Sequence, residues 1–463
     1  MKGFPSFFIG VKMKKRIVFS TTQMILLSFL IMVIIGSILL SLPISSANKE
    51  AVPYIDALFT ATTSVCVTGL VTLPTFSTWS VFGQVVILLL IQVGGLGVIT
   101  MMSGLMISLN KRIGMKDRML IQDAFNLNTL SGIVNFIKKV LIGTFIVEGI
   151  GALLYMTVFV PEYGAKGVWI SVFNSISAFC NAGIDIISEN SLCDYVLNPV
   201  INIITAALII LGGIGYIVWW DLIRVLKNVR TKKLKCFSNL TLHSKIALSV
   251  TGILIAVGAV AFFILEYNNP LTIKEYSIFE KIQVSLFQSI TTRTAGFATV
   301  PQQNLTNASA IVSLLLMFIG GSPVGTAGGI KTVTIAVLFC AAFATIQNKE
   351  EVELFHRTIP KQAVSKAVAV VCISFMIMFT STLLLAAVTN VDALDIAYET
   401  VSATATVGLT RNLTPLLNIW GKLIIIVTMY LGRVGPISLV IALNTKKERK
   451  NIIKNPTEDI SVG

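Results

Sequence analysis

The sequence has 463 residues, of which 54% are apolar and only 13% are charged. Soluble domains carry about a quarter of charged residues, and disordered or nucleic-acid-binding segments carry still more. The composition therefore excludes a soluble enzyme, a disordered chain and a nucleic-acid-binding arm. We predict an integral membrane protein that is surrounded by membrane lipid and has no nucleic-acid partner.

Eight apolar stretches are long enough to cross a bilayer, which takes about 20 helical residues. The first follows a basic segment but is longer than the apolar core of a signal peptide, so we predict a retained helix. The predicted transmembrane helices are 17–43, 80–109, 137–160, 199–223, 246–267, 308–346, 365–389 and 418–443.

The positive charge alternates along the chain in step with these helices. Most of the basic residues, 27 of 36, lie in the five segments 1–16, 110–139, 224–245, 349–366 and 446–454. Because Lys and Arg concentrate in cytoplasmic loops, we predict a multi-pass protein of the cell membrane with both termini cytoplasmic. The net charge of +14 is then mostly a consequence of topology rather than a ligand site.

Cysteine and histidine form no pattern that is typical of a metal site or a disulfide framework. The six cysteines include no CxxC pair, and the two histidines, His243 and His356, are far apart. The chain also lacks a Rossmann glycine motif, so we expect no organic cofactor in this chain.

Each segment between the basic ones contains a short stretch that is rich in Ser and Thr and ends in a glycine before an apolar residue. These glycines, Gly69, Gly183, Gly296 and Gly408, are separated by 114, 113 and 112 residues. The stretches read LFTATTSVCVTGL, VFNSISAFCNAGI, LFQSITTRTAGF and YETVSATATVGL. Similarity at a fixed spacing indicates internal repeats.

A glycine-rich segment follows each stretch, at 94–97, 212–215, 320–325 and 432–435. Arg433 occupies the place of the second glycine in the last of these segments. We predict an all-α integral membrane protein built from four tandem helix–pore loop–helix repeats around one central pore. The repeats are 1–110, 111–230, 231–348 and 349–445, and a cytosolic tail follows at 446–463.

Such a repeat favours a cation pore. Irregular backbone at membrane depth must be buried in protein or face water. The C-terminal ends of four short helices carry partial negative charge, and the carbonyl groups that follow can replace the hydration shell of a cation. The alternative at this point is a set of ordinary re-entrant loops that stabilise a carrier.

At these residues the sequence resembles the potassium-transporting membrane subunits of the Trk/Ktr/HKT superfamily. The specific motifs are TTRTAGF at 291–297 and GGSPVGTAGGIKT at 320–332, with support from CNAGID at 180–185 and TVGL at 406–409. Because one predicted helix precedes Gly69, the chain looks like a Ktr-type subunit. The resemblance implies potassium uptake through a selectivity filter, and glycine at all four filter positions points to potassium.

The same resemblance implies which residues line the filter, three from each repeat. They are Val67, Thr68 and Gly69; Asn181, Ala182 and Gly183; Thr294, Ala295 and Gly296; and Thr406, Val407 and Gly408. Potassium is the expected substrate at these residues, and sodium is left open as an activator.

The predicted helix at 308–346 contains five glycines and Pro323 within 320–332. A proline removes a helix hydrogen bond and each glycine costs about 1 kcal/mol, so we predict a break. The resemblance implies an intramembrane gating loop beneath the filter, with Arg433 as an electrostatic barrier; a substrate site at a broken helix is the alternative. The expected gate residues are Gly320, Gly321, Gly325, Gly328, Gly329, Lys331 and Arg433.

Arg293 lies three residues before its glycine, where the first two repeats have Cys66 and Cys180. A guanidinium that faced the path would repel cations, so we predict that Arg293 braces the filter from behind, with Asp185 or Glu399 as candidate acid partners. Direct gating by Arg293 is the alternative. Asp185 could instead attract cations at the outer mouth, and the two cysteines are predicted to be small packing residues.

Potassium uptake is the predicted function. The alternatives are sodium-conducting or sodium-coupled transport on the same frame, a carrier for an organic solute, and a membrane enzyme. Carriers commonly have two inverted repeats, and the sequence shows no set of nucleophile, base or metal ligands. The resemblance further implies a homodimer on a cytosolic ring of nucleotide-binding regulatory subunits. The basic segments 110–136, 224–245, 347–362 and 444–463 would form the docking face.

Overall fold

The computed structural model describes residues 20–109, 114–125, 132–227, 238–349 and 351–435. Within these ranges the chain is mostly helical, and one short antiparallel hairpin pairs β1 (Val352–Leu354) with β2 (Arg357–Ile359). The basic segments predicted at 1–16 and 446–454 lie outside the described residues. The helices are α1 (Thr21–Leu40), α2 (Tyr54–Cys66), α3 (Thr75–Thr78), α4 (Val81–Leu96), α5 (Val98–Ser108), α6 (Met115–Phe125), α7 (Ile133–Tyr163), α8 (Ala165–Cys180), α9 (Pro199–Gly213), α10 (Tyr216–Leu226), α11 (Leu242–Glu266), α12 (Ile278–Thr291), α13 (Asn307–Phe318), α14 (Thr332–Ile346), α15 (Lys361–Val388), α16 (Ala393–Ala405) and α17 (Ile419–Val434).

By length and composition, four of the described helices could cross a membrane by themselves: α1, α7, α11 and α15. Two further pairs, α4 with α5 and α9 with α10, qualify when each pair is counted as one span, which makes six. The predicted total of eight spans is neither reached nor excluded by this count, because α13 and α14 are short and residues beyond 435 lie outside the described part.

Two of the predicted helices are sharply bent. The helix axes turn by 98° between α4 and α5 and by 100° between α9 and α10, so 80–109 and 199–223 are not straight spans. A glycine in a left-handed conformation lies at each bend, Gly97 with φ +85° and Gly215 with φ +87°. Such backbone is strained for any residue with a Cβ. Hydropathy gave no sign of these bends.

The third apolar pair is interrupted rather than bent. Helix α13 ends at Phe318 and α14 begins at Thr332, which confirms the predicted break over the glycines and the proline. The residues between them, 319–331, are called the central loop below. A parallel bridge between Ile319 and Ile330 closes its base.

Burial separates the short helices from the long ones. Helices α2, α8, α12 and α16 are buried along most of their length. The long helices instead expose apolar side chains, such as Leu153 at 65% and Ile264 at 66%. Exposed apolar surface on long helices is what a bilayer would cover, so the short helices form the centre and the long ones surround it.

Polar contacts join the beginning of the chain to its end. The Nζ atom of Lys422 on α17 lies 2.5 Å from Asp56 Oδ1 on α2. The Tyr430 hydroxyl donates to the Leu26 carbonyl at 2.7 Å. These contacts close the arrangement of helices, since they connect its first and last parts.

The effects on stability of replacing Lys422 and of replacing Asp56 should not be additive, because the two residues form an ion pair. Asp56→Asn or Lys422→Gln leaves the opposite charge poorly solvated, and we expect each to cost about 3 kcal/mol, with partial recovery in the double variant. Thermal unfolding of the protein in detergent measures the loss of stability in each variant, and Glu353→Gln, at an exposed position of the hairpin, is the control. A loss in the double variant that equals the sum of the two single losses would contradict the prediction.

Candidate functional site

Three of the short helices end in the same unusual way. The residues after α2, α8 and α16 are left-handed, with φ of 55° at Val67, 60° at Asn181 and 51° at Thr406. In each case the N–H of the following residue donates at 2.8 Å to the carbonyl five positions earlier. This is the Schellman ending, which normally places glycine at the left-handed position. A Cβ there costs about 1–2 kcal/mol, so the surrounding structure must hold these residues in place.

The turn after the remaining short helix, α12, is tighter by one residue. Helix α12 ends at Thr291, and the Ala295 N–H donates to the Thr291 carbonyl at 3.0 Å, four positions back instead of five. Thr294 nevertheless has a φ of 63°. The left-handed residue of the third stretch therefore lies three residues after the helix end instead of directly after it, and the hydrogen bond that closes its turn spans one residue fewer.

One hydroxyl in each stretch ties the segment after the helix to the helix itself. Thr63 Oγ1 accepts from the Gly69 N–H and Ser402 Oγ from the Gly408 N–H, both at 3.0 Å. In the other two stretches the hydroxyl donates instead, to the carbonyls of Ile184 at 2.5 Å and Phe297 at 2.6 Å. The roles of these four hydroxyls, of Thr63, Ser177, Thr291 and Ser402, were not predicted from the sequence. The Ser and Thr density of the stretches was their signal.

The four glycines lie against one another in a ring. Their φ values are +100°, +62°, +83° and +100° in chain order. A Cβ on each would meet the carbonyl oxygen of the residue before the next glycine: at 2.5 Å from Gly69, 2.6 Å from Gly183, 2.5 Å from Gly296 and closer still from Gly408. Both the dihedral angles and the close approach therefore require glycine.

The predicted filter residues are thus brought together, but their side chains do not play one role. The Asn181 side-chain amide lies between α8 and α9, and the orientation that satisfies its hydrogen bonds directs its nitrogen to the carbonyls of Phe179 and Ile209. The Thr68 and Thr406 hydroxyls are buried and have no hydrogen-bond partner among the described residues. Buried hydroxyls without partners, beside backbone carbonyls, match what a dehydrated cation needs.

On one side of the glycine ring lies a cavity of about 240 Å³, which all four glycines line. Asp185 and Glu189 also line it. Asp185 is 9% exposed, and its Oδ1 accepts from the Ile187 N–H at 3.3 Å. Burial raises the pKa of Asp185 to about 6, against the opposing effect of its hydrogen bonds. The cavity is a mouth in which negative charge precedes the ring.

On the other side of the ring, the central loop contacts the predicted filter residues. The Gly328 N–H donates to Thr294 Oγ1 at 3.2 Å, and Gly328 has no room for a side chain next to Thr406. The Thr326 hydroxyl donates to the Phe179 carbonyl at 3.0 Å. The tip of the loop is therefore bonded to the structure that carries the ring.

Two basic side chains are held by carbonyls at this tip. Arg433 donates to the carbonyls of Thr326 at 2.7 Å and Gly94 at 2.5 Å. Lys331 Nζ donates to the Ala327 carbonyl at 2.6 Å. No acidic partner within ion-pair distance of either is found in the described part of the chain. The remaining expected gate residues, Gly320, Gly321, Gly325 and Gly329, lie in the same loop.

Arg293 is buried, but its predicted acid partner was wrong. Its guanidinium donates to the carbonyls of Thr251 at 3.2 Å and Gly320 at 2.9 Å. Asp185 lines the mouth on the opposite side of the ring, and Glu399 accepts from the hydroxyls of Thr410 and Thr414. The interruption after α13 leaves the Gly320 carbonyl available, and Thr251 on α11 supplies the second acceptor, so Arg293 is held by carbonyls rather than by a carboxylate. Cys66 and Cys180 are fully buried at the helix ends, as small packing residues would be.

Taken together, long apolar helices around a ring of backbone carbonyls describe a membrane protein that transports cations. The sequence profile described as "TrkH: Cation transport protein" matches residues 10–455. The chain belongs to this TrkH family of cation transport proteins.

Named relatives match over nearly their whole length. The chain is 39% identical to the potassium/sodium uptake protein NtpJ of Enterococcus hirae, over 97% of this chain and 99% of that protein. It is also 39% identical to the Ktr system potassium uptake protein B of Bacillus subtilis, over 98% and 99%. The crystal structure of the potassium transporter TrkH from Vibrio parahaemolyticus has the same fold, with a TM-score of 0.74 at 17% identity, over 93% of this chain and 86% of that one.

The Asp185 charge should make cation uptake depend on pH. The carboxylate is ionised above its pKa of about 6 and neutral below it, so attraction of cations to the mouth is lost as the pH falls. We expect the KM for rubidium uptake to rise several-fold between pH of about 7.5 and about 5. Asp185→Asn should raise KM at the higher pH and flatten this dependence, whereas the exposed neighbour Glu189→Gln should retain it. An unchanged pH profile in Asp185→Asn would assign the dependence to another group.

Proposed function

We propose that this protein takes up potassium across the cell membrane through a selectivity filter at the glycine ring. The observation that carries the proposal is the ring itself, in which four glycines with positive φ lie against the carbonyls of their neighbours. Such carbonyls can replace water around a cation. The relatives named for potassium uptake support potassium as the cation.

The proposed architecture is four helix–pore loop–helix repeats with eight transmembrane helices and both termini cytoplasmic. The four ring glycines, each preceded two residues earlier by a left-handed residue, support the repeats, with the boundaries at 110, 230 and 348 given above. The bent pairs and the interrupted pair would each count as one span. Cation-rich segments on one side of the membrane support the orientation.

Uptake through such a filter needs no chemical step. A cation enters the mouth beside Asp185, exchanges water for the carbonyls of the ring, and leaves toward the central loop. The membrane potential favours entry by about 2.3 kcal/mol per 100 mV for each positive charge. Potassium loses its water more readily than the smaller sodium ion does, and a ring of fixed carbonyls can exploit that difference.

The central loop is the proposed gate. Its tip is bonded to Thr294 and to Phe179, and Arg433 and Lys331 add positive charge beside it. A cation that leaves the filter therefore meets both backbone and positive charge. Opening would require the loop to give up these bonds and Arg433 to move with it or away from it.

The assembly is proposed on the resemblance described above. Two copies of the chain would form a homodimer with one pore in each, on a cytosolic ring of nucleotide-binding regulatory subunits. Sodium would act as an activator rather than as the main transported ion. The second candidate function is sodium-conducting or sodium-coupled transport, which the name of the potassium/sodium uptake relative supports.

Replacement of one filter glycine should abolish discrimination between potassium and sodium. We expect Gly296→Ser to lower the ratio of rubidium to sodium flux by about tenfold, because the side chain would press on the Val407 carbonyl. Flux into proteoliposomes with sodium as competitor measures the ratio. Gly252→Ser, at a position with no atom within 4 Å of a new Cβ, is the matched control. Equal passage of sodium in the unaltered protein would favour the second candidate.

Removal of the Arg433 charge should open the path. Arg433→Ala is expected to raise basal rubidium flux several-fold, since the loop loses its bond at Thr326 and a positive charge disappears. Arg433→Lys keeps the charge and should lie between Arg433→Ala and the unaltered protein. If Arg433→Ala at equal protein content gives unchanged flux, Arg433 is not part of the gate.

A further inference from the structure

The third stretch differs from the other three at one position. The residue before the left-handed one is small and buried in the others: Cys66, Cys180 and Ala405. In the third stretch it is Arg293, whose side chain is several times larger and is also buried. Residues 292–296, the turn that leads from α12 to the ring glycine, are called the third strand or third filter strand below. A large side chain where the other stretches have a small one must displace something from the space behind this strand.

What it displaces is a close contact between backbones. In the other three stretches a glycine of the following helix lies directly against the carbonyl two positions before the left-handed residue. The pairs are Gly94 with Val65, Gly212 with Phe179, and Gly432 with Thr404. The corresponding glycine of the third stretch is Gly320. Its nearest atoms belong to the central loop itself, at Gly328 and Gly329.

The guanidinium of Arg293 takes the place of that contact. It spans from the Thr251 carbonyl on α11 to the Gly320 carbonyl at the start of the central loop, at 3.2 and 2.9 Å. A hydrogen bond through a long side chain permits movement that direct backbone packing does not. Within the described part of the chain, the stretch that has this arrangement is also the one whose following helix is interrupted by a loop.

The next residue along the strand holds the tip of the loop. Thr294 Oγ1 accepts from the Gly328 N–H at 3.2 Å. Two consecutive residues of the third strand therefore bind the loop at its start, at Gly320, and at its tip, at Gly328. The remaining hydroxyl bond of the tip, from Thr326, goes to Phe179, which lies inside α8 and is packed against Gly212.

We propose that Arg293 is a positioning residue that couples the central loop to the third filter strand, so that displacement of the loop also changes ion selectivity. This rests on the proposed role of the loop as a gate. When the loop moves, its pull reaches Arg293 and Thr294, which precede the ring glycine Gly296 without a helix to stiffen them. The bond to Phe179 ends on a packed helix and transmits no such change to a strand.

The test compares two ways of loosening the same loop. Arg293→Lys and Arg293→Gln weaken its attachment to the third strand, and Thr326→Val removes its attachment to α8 at nearly constant shape. Rubidium and sodium flux are measured in proteoliposomes of the full chain at equal protein content. We expect all three to raise rubidium flux several-fold. The ratio of rubidium to sodium flux should fall in the Arg293 variants alone, more in Arg293→Gln than in Arg293→Lys.

The possible outcomes separate the coupling from the gate. If the Arg293 variants and Thr326→Val raise flux with the same unchanged ion ratio, the gate stands and the coupling is refuted. If Thr326→Val raises flux and the Arg293 variants alter neither flux nor ratio, the coupling is likewise refuted. If none of them, nor Arg433→Ala, raises flux, the proposed gate itself fails. Should Arg293→Gln not fold, the charge-retaining Arg293→Lys carries the same comparison.

Discussion

The close approach of the four ring glycines to one another is the constraint that the surrounding structure has to satisfy. Four backbone segments meet there at distances at which a carbonyl oxygen would overlap any neighbouring side chain. Everything around the ring maintains this approach. The short helices deliver the segments, the left-handed residues turn them, and one hydroxyl in each stretch ties the turned segment back to its helix. None of these four hydroxyl bonds uses the carbonyl of the residue before a ring glycine, and those are the carbonyls that meet at the ring.

The turns that lead into the ring are strained. Val67 and Thr406 are β-branched residues in a left-handed conformation that such residues rarely adopt. Glycine would relieve that strain, but it would also leave the turn free to take other conformations. The close packing of the following helices, as between Gly94 and Val65, supplies the constraint that holds these turns. A rigid approach to the ring is therefore obtained at the expense of local backbone energy.

Interruption of helices serves a second purpose, because it provides acceptors for buried positive charge. A continuous helix uses its own carbonyls, and a cation inside the membrane would then need a carboxylate. Here the carbonyls of Gly94, Thr326 and Ala327 are free to bind Arg433 and Lys331. The carbonyl of Gly320 binds Arg293 in the same manner. Among the described residues, no acid lies within ion-pair distance of Arg433 or Lys331, which suits a barrier to cations.

The glycines of the ring and the break at 319–331 could be predicted from the sequence, because spacing and residue type decide both locally. The helical class and the family also followed from composition and motifs. The bends at Gly97 and Gly215 could not, since hydropathy measures how apolar a segment is and carries no direction. Nor could the partners of Arg293, because the Gly320 carbonyl becomes an acceptor only after the helix has ended. Which backbone atoms meet at the ring depends on the tertiary structure, because only there do atoms far apart in sequence become neighbours.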